Sequence, residues 1–430
     1  MALELKRRLG PRLWPYYLKV QPLVRTLMMA TSGIWRRLMF RTTFIAVSGS
    51  VGKSTAKDAI ALVLGEHFRT YKTSGSSNHY DGVTRSLLSV RPWHRYAVIE
   101  IGLDRPGQMK GFTRTVKPDI SVWVNVARTH MMMFKTLETI AHEKSLLVEG
   151  LRPGGLAVLN SDNPYIANYQ PPAAVRTIRY GTGEGMDWVA SQLSSRWPEH
   201  FSFYVQSGAE KGKVATKLIG KHWLPSVLPA LAVAREAGLT LTQAKDALAK
   251  LEPMQQRLSE ASTPQGATFL RDEWNGSVDT LKVALDVVEE AIAKRKILVF
   301  TDVSDSKQKI RARQRQLGIQ AAKIFDAAIF IGDSHSHAVR GVIEGGMDAS
   351  LVFGFYDMES AGKQLKILLR EGDLVLLRGQ NGDHMGRLYL NTLGEVSCWI
   401  SLCKKKIHCD VCPELRAQVK DDGRLVQISK

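Results

Sequence analysis

From Phe44 onward, short apolar runs alternate with longer stretches in which apolar residues recur every three or four positions. Phe44–Val47, Tyr96–Ile101 and Ile120–Val126 are short and rich in Val and Ile, as strands buried on both faces of a parallel sheet are. A second series follows Leu258: Ile297–Thr301, Ala327–Gly332, Leu351–Gly354 and Asp373–Arg378, again separated by helical patterns. This alternation predicts two doubly wound α/β units. The joint is expected at Glu252–Arg257, where Pro253 interrupts the helix pattern Leu241–Leu251. A chain of 430 residues is long enough for two such cores.

Charge adds a second layer. Lys and Arg number 59 against 41 Asp and Glu, a formal net charge of +18, so the surface should attract phosphates, nucleotides, anionic lipid or nucleic acid. Residues 1–43 carry nine basic residues against Glu4 alone, interleaved with Trp14, Tyr16, Tyr17 and Trp35. Pro11, Pro15 and Pro22 should break any helix there into short pieces. Two readings stand: helical turns packed on the body with a solvated basic face, or attachment to a membrane surface or protein partner. A nucleic-acid role has only the net charge behind it, without a recognisable binding module. No run reaches the length of a spanning helix, and no signal-peptide pattern opens the chain. A cytoplasmic protein is expected, at most peripheral at the inner membrane face.

The richest chemistry follows the first strand. Gly49–Ser50–Val51–Gly52–Lys53–Ser54–Thr55 leads into the helical run Ala56–Leu64. Strand, glycine loop and helix in that order let backbone N–H groups and a helix N-terminus converge on a phosphate. Lys53 adds charge, and Ser54 a hydroxyl for Mg²⁺. Two residues separate the glycines where the common P-loop has four. In an open parallel sheet, ligands gather beyond the carboxyl ends of the strands. Glu100 ends the second strand and His130 follows the third, so both belong on the loop's edge and could complete a Mg²⁺ shell. On the predicted helix Leu137–Leu151, Lys144 falls on the apolar face, seven positions after Leu137. Periodicity alone favours a lysine snorkelling to the rim; carbamylation by CO₂, which would make it a carboxylate, is the other outcome. The predicted organisation is a basic segment over 1–43 and a central P-loop-type ATP-binding domain over 44–258. A C-terminal Rossmann-like α/β domain over 259–395 and a cysteine-rich tail over 396–430 complete it.

Together these residues resemble the Mur ligase family, the ATP-dependent amide ligases of peptidoglycan assembly, and within it the branch that adds D-alanyl-D-alanine. The family's shortened loop is Gly49–Ser54 here, and its Glu-Leu-Gly metal strand resembles Glu100–Ile101–Gly102, followed by Pro106–Gly107. Asn125 through His130 matches its asparagine-to-histidine segment, and its carbamylated lysine falls on Lys144. Gly154–Gly155 and Asn160–Ser161–Asp162 match the next strand and turn. Arg257 stands where the family has an arginine at the domain joint, and Asp272–Glu273–Trp274–Asn275 resembles its nucleotide segment.

The resemblance implies ATP and Mg²⁺ as cofactors and two α/β domains closing on them. It also implies transfer of the γ-phosphate to a substrate carboxylate, then attack by an amine to give an amide, ADP and phosphate. Lys53, Lys144 and His130 would be catalytic. Gly49, Ser50, Gly52, Lys53, Ser54, Thr55, Arg257, Asp272 and Asn275 would bind ATP, and Ser54, Glu100, His130 and Lys144 would hold metal. Partners are small-molecule or carrier-linked carboxylates and amines.

Three departures bear on substrate. Only the short basic segment stands before the loop, where the family has its UDP-binding domain, which points away from a UDP-muramoyl substrate. Arg378–Gly379–Gln380 replaces Lys-Gly-Ser, and Ser277–Val278 replaces Asn-Pro, changes expected in acceptor recognition. A ligase that polymerises poly-γ-glutamate or folate polyglutamates, and a non-catalytic nucleotide-binding scaffold, are the competing readings. Finally, Cys398, Cys403, Cys409 and Cys412 have four, five and two residues between them. They could hold one structural zinc with His408 as a spare ligand, serve as redox thiols, or stay free.

Overall fold

The computed structural model describes residues 20–415 apart from 22, 130, 275, 304–307, 401, 402, 404 and 406, and the backbone alone at 279, 381, 418, 419, 425 and 426. The chain divides into two compact units. One holds residues up to 193 with 202–216 and 221–251; the other holds 194–201, 217–220 and the chain from 252. Among the described residues no helix is long and apolar enough to cross a membrane.

The first unit is built on one nine-stranded sheet. Its strands are β1 Thr43–Ser48, β2 Thr70–Lys72, β3 Tyr96–Ile101, β4 Ile120–Trp123, β5 Leu156–Asn160, β6 Arg176–Gly181, β7 Trp188–Ser194, β8 Ser202–Ser207 and β9 Glu210–Ala215. Their order is β2-β3-β1-β4-β5-β6-β7-β8-β9. From β2 to β7 neighbours run parallel, and β8 and β9 close as an antiparallel hairpin. The sequence is all apolar or small from Phe44 to Val47, and every one of those residues is fully buried. That is what helices on both faces of a parallel sheet require. Register places Val47 opposite Glu100 and Ser48 opposite both Ile101 and Trp123. The chain therefore leaves three adjacent strands at one edge.

β4 is shorter than its apolar run suggests. Val124–Val126 leaves the ladder because side-chain amides claim its carbonyls: Asn160 Nδ2 donates to Val124 O (2.8 Å) and Asn163 Nδ2 to Val126 O (2.9 Å). The helix predicted over Leu241–Leu251 likewise ends at Leu248, tightening into three-residue turns at Lys250 and Leu251.

Residues 23–38 form one continuous helix after Pro22. Trp35 Nε1 donates to Val90 O (2.9 Å), and Arg36 donates to Val116 O and Lys117 O (both 2.8 Å) with its guanidinium 3.8 Å from the Phe44 ring centroid. The packed side matches the expectation, but the solvated side does not. Its outward stripe is Leu23, Leu27, Ile34 and Leu38 rather than a basic face.

The second unit carries a six-stranded sheet of order β10-β11-β15-β12-β13-β14. The strands are β10 Ser259–Ser262, β11 Thr268–Asp272, β12 Arg295–Phe300, β13 Ala327–Ile331, β14 Val352–Phe355 and β15 Asp373–Arg378. Only the edge pair β10–β11 is antiparallel. Alternate residues split between two cores: Leu298, Phe300, Phe330 and Leu376 on one face, Ile297, Val299, Ile329 and Leu377 on the other.

Candidate active site

The loop after β1 turns into the helix Lys53–Gly65 through Gly52, whose φ of 78° lies in the left-handed region that glycine enters freely. A Cβ at Gly52 would stand 2.4 Å from Ser226 Oγ, and one at Gly49 3.1 Å from Val124 Cβ. Gly52 is therefore favoured by conformation and contact together, while at Gly49 a side chain would crowd the segment just after β4. Asn125 ties the loop down. Its Oδ1 accepts from Ser50 N (2.9 Å) and Val51 N (3.0 Å), and its backbone carbonyl accepts from Ser50 N as well. Lys53 Nζ donates to Ser50 O at 3.0 Å.

Glu100 stands on the same edge, fully buried at the end of β3. Its Oε1 accepts from Ser54 Oγ (3.0 Å) and Asn78 Nδ2 (2.7 Å), and its backbone N–H donates to Thr73 Oγ1. Oε2 has no hydrogen bond and lies 3.6 Å from the Lys57 ammonium. A buried carboxylate survives only with such partners. Lys57, also buried, donates to Gly75 O.

The helix Leu137–Glu149 starts at Thr136, whose hydroxyl accepts from Thr139 N. Glu143 anchors it to the segment after β3, its Oε1 accepting from Gly107 N. One position on, Lys144 is buried, which corrects the rim expectation: the apolar face on which it sits is packed into the core, so no rim is within reach. Burial pushes its amine well below the ordinary lysine range, and the nearby positive charge of Lys53 pushes it the same way. The structure thus gathers Lys53, Ser54, Glu100 and Lys144 at the loop edge. His130 lies outside the described residues.

In the second unit Asp272 ends β11 opposite Arg378 at the end of β15. The fully buried Arg378 donates to the Asp272 carboxylate, to Ser277 O (3.1 Å) and to Thr280 Oγ1 (2.6 Å). Burial raises the Asp272 carboxyl's pKa while Arg378 opposes that rise. The guanidinium of Arg257 sits 5.9 Å from the Trp274 ring centroid. Asn275 lies outside the described residues. Arg378, noted in the sequence as a departure, is therefore the clamp that holds the nucleotide-segment candidate and the turn after it.

Of the three readings of the cysteines, the zinc site is the one the structure does not support. Among the described residues no three or more His, Cys, Asp or Glu side chains gather as a metal site. Cys409 and Cys412 pack with Leu390, Val396 and Leu415, and Cys409 Sγ donates to His384 O at 3.4 Å.

Sequence reasoning missed Lys57, Thr73, Asn78 and also Ser76, whose hydroxyl lies 3.1 Å from Ser54 Oγ. Lys57 had a signal, since it precedes Ile60 by three positions and Leu64 by seven on the buried helix face. The other three come from the loop after the three-residue β2, which carries no pattern of its own.

A parallel sheet with a lysine-bearing glycine loop and a buried acid beside it has the construction of a P-loop nucleotide-binding protein. Comparison with known proteins is specific. Residues 47–234 match the Mur ligase middle domain and residues 256–381 the Mur ligase, glutamate ligase domain. The UDP-N-acetylmuramoyl-tripeptide–D-alanyl-D-alanine ligase of Bacillus subtilis is 27% identical over 345 residues, 79% of this chain and 74% of that one. In fold, MurF from Acinetobacter baumannii superposes with a TM-score of 0.78 at 22% identity, covering 86% of this chain and 80% of that one. MurF from Thermotoga maritima in complex with ADP gives 0.72 at 20%, over 85% and 82%. The chain belongs to the Mur ligase family, and it is an ATP-dependent, ADP-forming acid–amino-acid ligase.

Proposed function

We propose that the chain joins a carboxylate to the amine of an amino acid or related compound through an acyl phosphate. The observation that carries this reading is the placing of Lys144, buried and stripped of its usual basicity beside Lys53, on the edge where Ser54 meets Glu100. A nucleotide-gated scaffold has no use for such an amine.

Mg²⁺ fits the residues present. Ser54 Oγ and Glu100 offer hard oxygen donors, and Glu100 Oε2 is buried without a hydrogen bond. Ser54 and Glu100 would hold it, with His130 added by the resemblance; bound there, it would offset charge on the phosphates. Lys53 and the loop N–H groups orient the triphosphate. A substrate carboxylate oxygen then attacks the γ-phosphorus and ADP leaves. The amine nitrogen attacks the acyl carbon, loses a proton, and inorganic phosphate departs with the carboxylate's oxygen.

Lys144 acts on the charge balance. Its neutral amine attacks CO₂, forming an N–C bond and releasing one proton to give a carbamate. A neutral neighbour of Lys53 becomes a counter-charge, and a further oxygen donor is created. The nucleotide roles of Arg257, Asp272 and Asn275 rest on the family resemblance, with Arg378 as the positioning residue for Asp272. Phosphate release in the presence of pools of carboxylates and amino acids tests the reading. Lys53→Ala is expected to abolish substrate-dependent release, and undiminished release would reject the assignment.

A further inference from the structure

Helix 23–38 is apolar on two sides. Inward, Met29 and Trp35 pack on the core and Ser32 is buried. Outward, Leu23, Leu27, Ile34 and Leu38 are 70%, 66%, 59% and 57% exposed, and Phe40 just beyond is 80% exposed. At about 100° per residue the four helical positions fall within roughly 60° of one another, a single stripe about 22 Å long. Soluble chains rarely leave such a stripe to water.

Charge lies directly beside it. A cleft of about 1020 Å³ opens at the amino ends of β1, β3, β4 and β6, the sheet edge opposite the glycine loop, and Phe40 is part of its wall. Eight cationic side chains line it against two acids. Both acids are engaged, Asp119 by Arg36 and Arg152 and Glu236 by Arg176. Arg37, Arg41, Arg95, Arg114 and Lys117 remain exposed and give the cleft its positive field.

We infer that this face docks on an anionic lipid bilayer. Leu27, Ile34, Leu38 and Phe40 enter the acyl boundary, and the cleft arginines meet headgroup phosphates. A soluble polyanion would satisfy the cations and leave the stripe wet. A second copy of the chain would bring the same positive charge against itself. Docking by this edge turns the glycine loop away from the lipid, so the inference stands apart from the ligase chemistry.

Vesicle co-flotation of the full chain tests it, comparing vesicles of equal parts phosphatidylglycerol and phosphatidylcholine with phosphatidylcholine alone. Binding is expected only to the anionic vesicles and should weaken as salt rises. Replacing Arg37, Arg41 and Arg114 by Gln should cost roughly fivefold in affinity per charge removed. Leu27→Glu with Leu38→Glu should cost more than tenfold, with circular dichroism and melting temperature unchanged. The inference is overturned if neither vesicle binds, if both bind equally, or if the two leucine variants bind as well as the parent. The last result would mark a general polyanion site. A chain that self-associates through the stripe, by sedimentation, and ignores vesicles would overturn it too.

Discussion

Gly52→Ala probes the geometry on which the nucleotide site depends. Two costs can be separated. A residue with a Cβ at φ 78° bears about 1–2 kcal/mol of backbone strain. The new methyl would also stand 2.4 Å from Ser226 Oγ, closer than carbon and oxygen pack, and relieving such overpacking costs about 1–3 kcal/mol. The next neighbours, Val124 Cγ1 at 3.5 Å and Ser226 Cβ at 3.7 Å, are ordinary contacts. Ser226→Ala therefore removes the contact and leaves the strain. In a double-mutant cycle, Gly52→Ala should cost roughly 2–5 kcal/mol in the parent but only 1–2 kcal/mol in the Ser226→Ala background. Thermal unfolding reads this as about 2–4 °C per kcal/mol for a unit of this size. ATP affinity should fall in step, because the displaced loop carries the phosphate donors. If Ser226→Ala leaves the cost of Gly52→Ala unchanged, the packing of helix 53–65 against Ser226 is not what selects glycine, and the reasoning fails.

Lys144→Ala should lose ligation activity while acetate or another small carboxylate restores part of it; full activity without addition would contradict the carbamate assignment. Glu273 offers a stability test. Burial raises its carboxyl to about 7 against 4.5 in the unfolded chain, with Arg271 opposing. An acid raised on folding adds no penalty below its unfolded pKa and destabilises progressively as pH rises through the folded one. Parent stability should therefore fall by on the order of 3 kcal/mol between about pH 5 and pH 8 from this group. Glu273→Gln should flatten that fall in melting temperature, and an equal slope in both proteins would show that Glu273 does not titrate there.

Much of the fold was legible because buried parallel strands announce themselves. Tyr96–Ile101 and Asp373–Arg378 are apolar runs whose observed ends match the pattern to the residue. The glycine loop was equally plain, since Gly52, Lys53 and Ser54 must sit at a strand-to-helix turn for their chemistry to converge. Legibility failed where identity is decided by tertiary contact. The end of β4 depends on amides from Asn160 and Asn163, more than thirty positions away. Periodicity placed Lys144 on the right helix face, yet whether that face met a rim or a core was a matter of packing. Residues 23–38 misled in the opposite direction. Their arginines suggested a basic outer face, but Arg36 turns inward to carbonyls and Asp119, and leucines take the outside. The edge strand β2 and the hairpin β8–β9 are short and mixed in polarity, so alternation alone could not register them.

The central claim is that ATP energises a carboxylate at the glycine-loop edge before nitrogen arrives. Once a turnover-supporting substrate pair is found, a carboxylate carrying isotopically labelled oxygen can be supplied and the released phosphate examined by mass spectrometry. The account predicts one labelled oxygen per phosphate formed, with both label transfer and product lost in Lys53→Ala. Amide formation accompanied by phosphate free of label would contradict it.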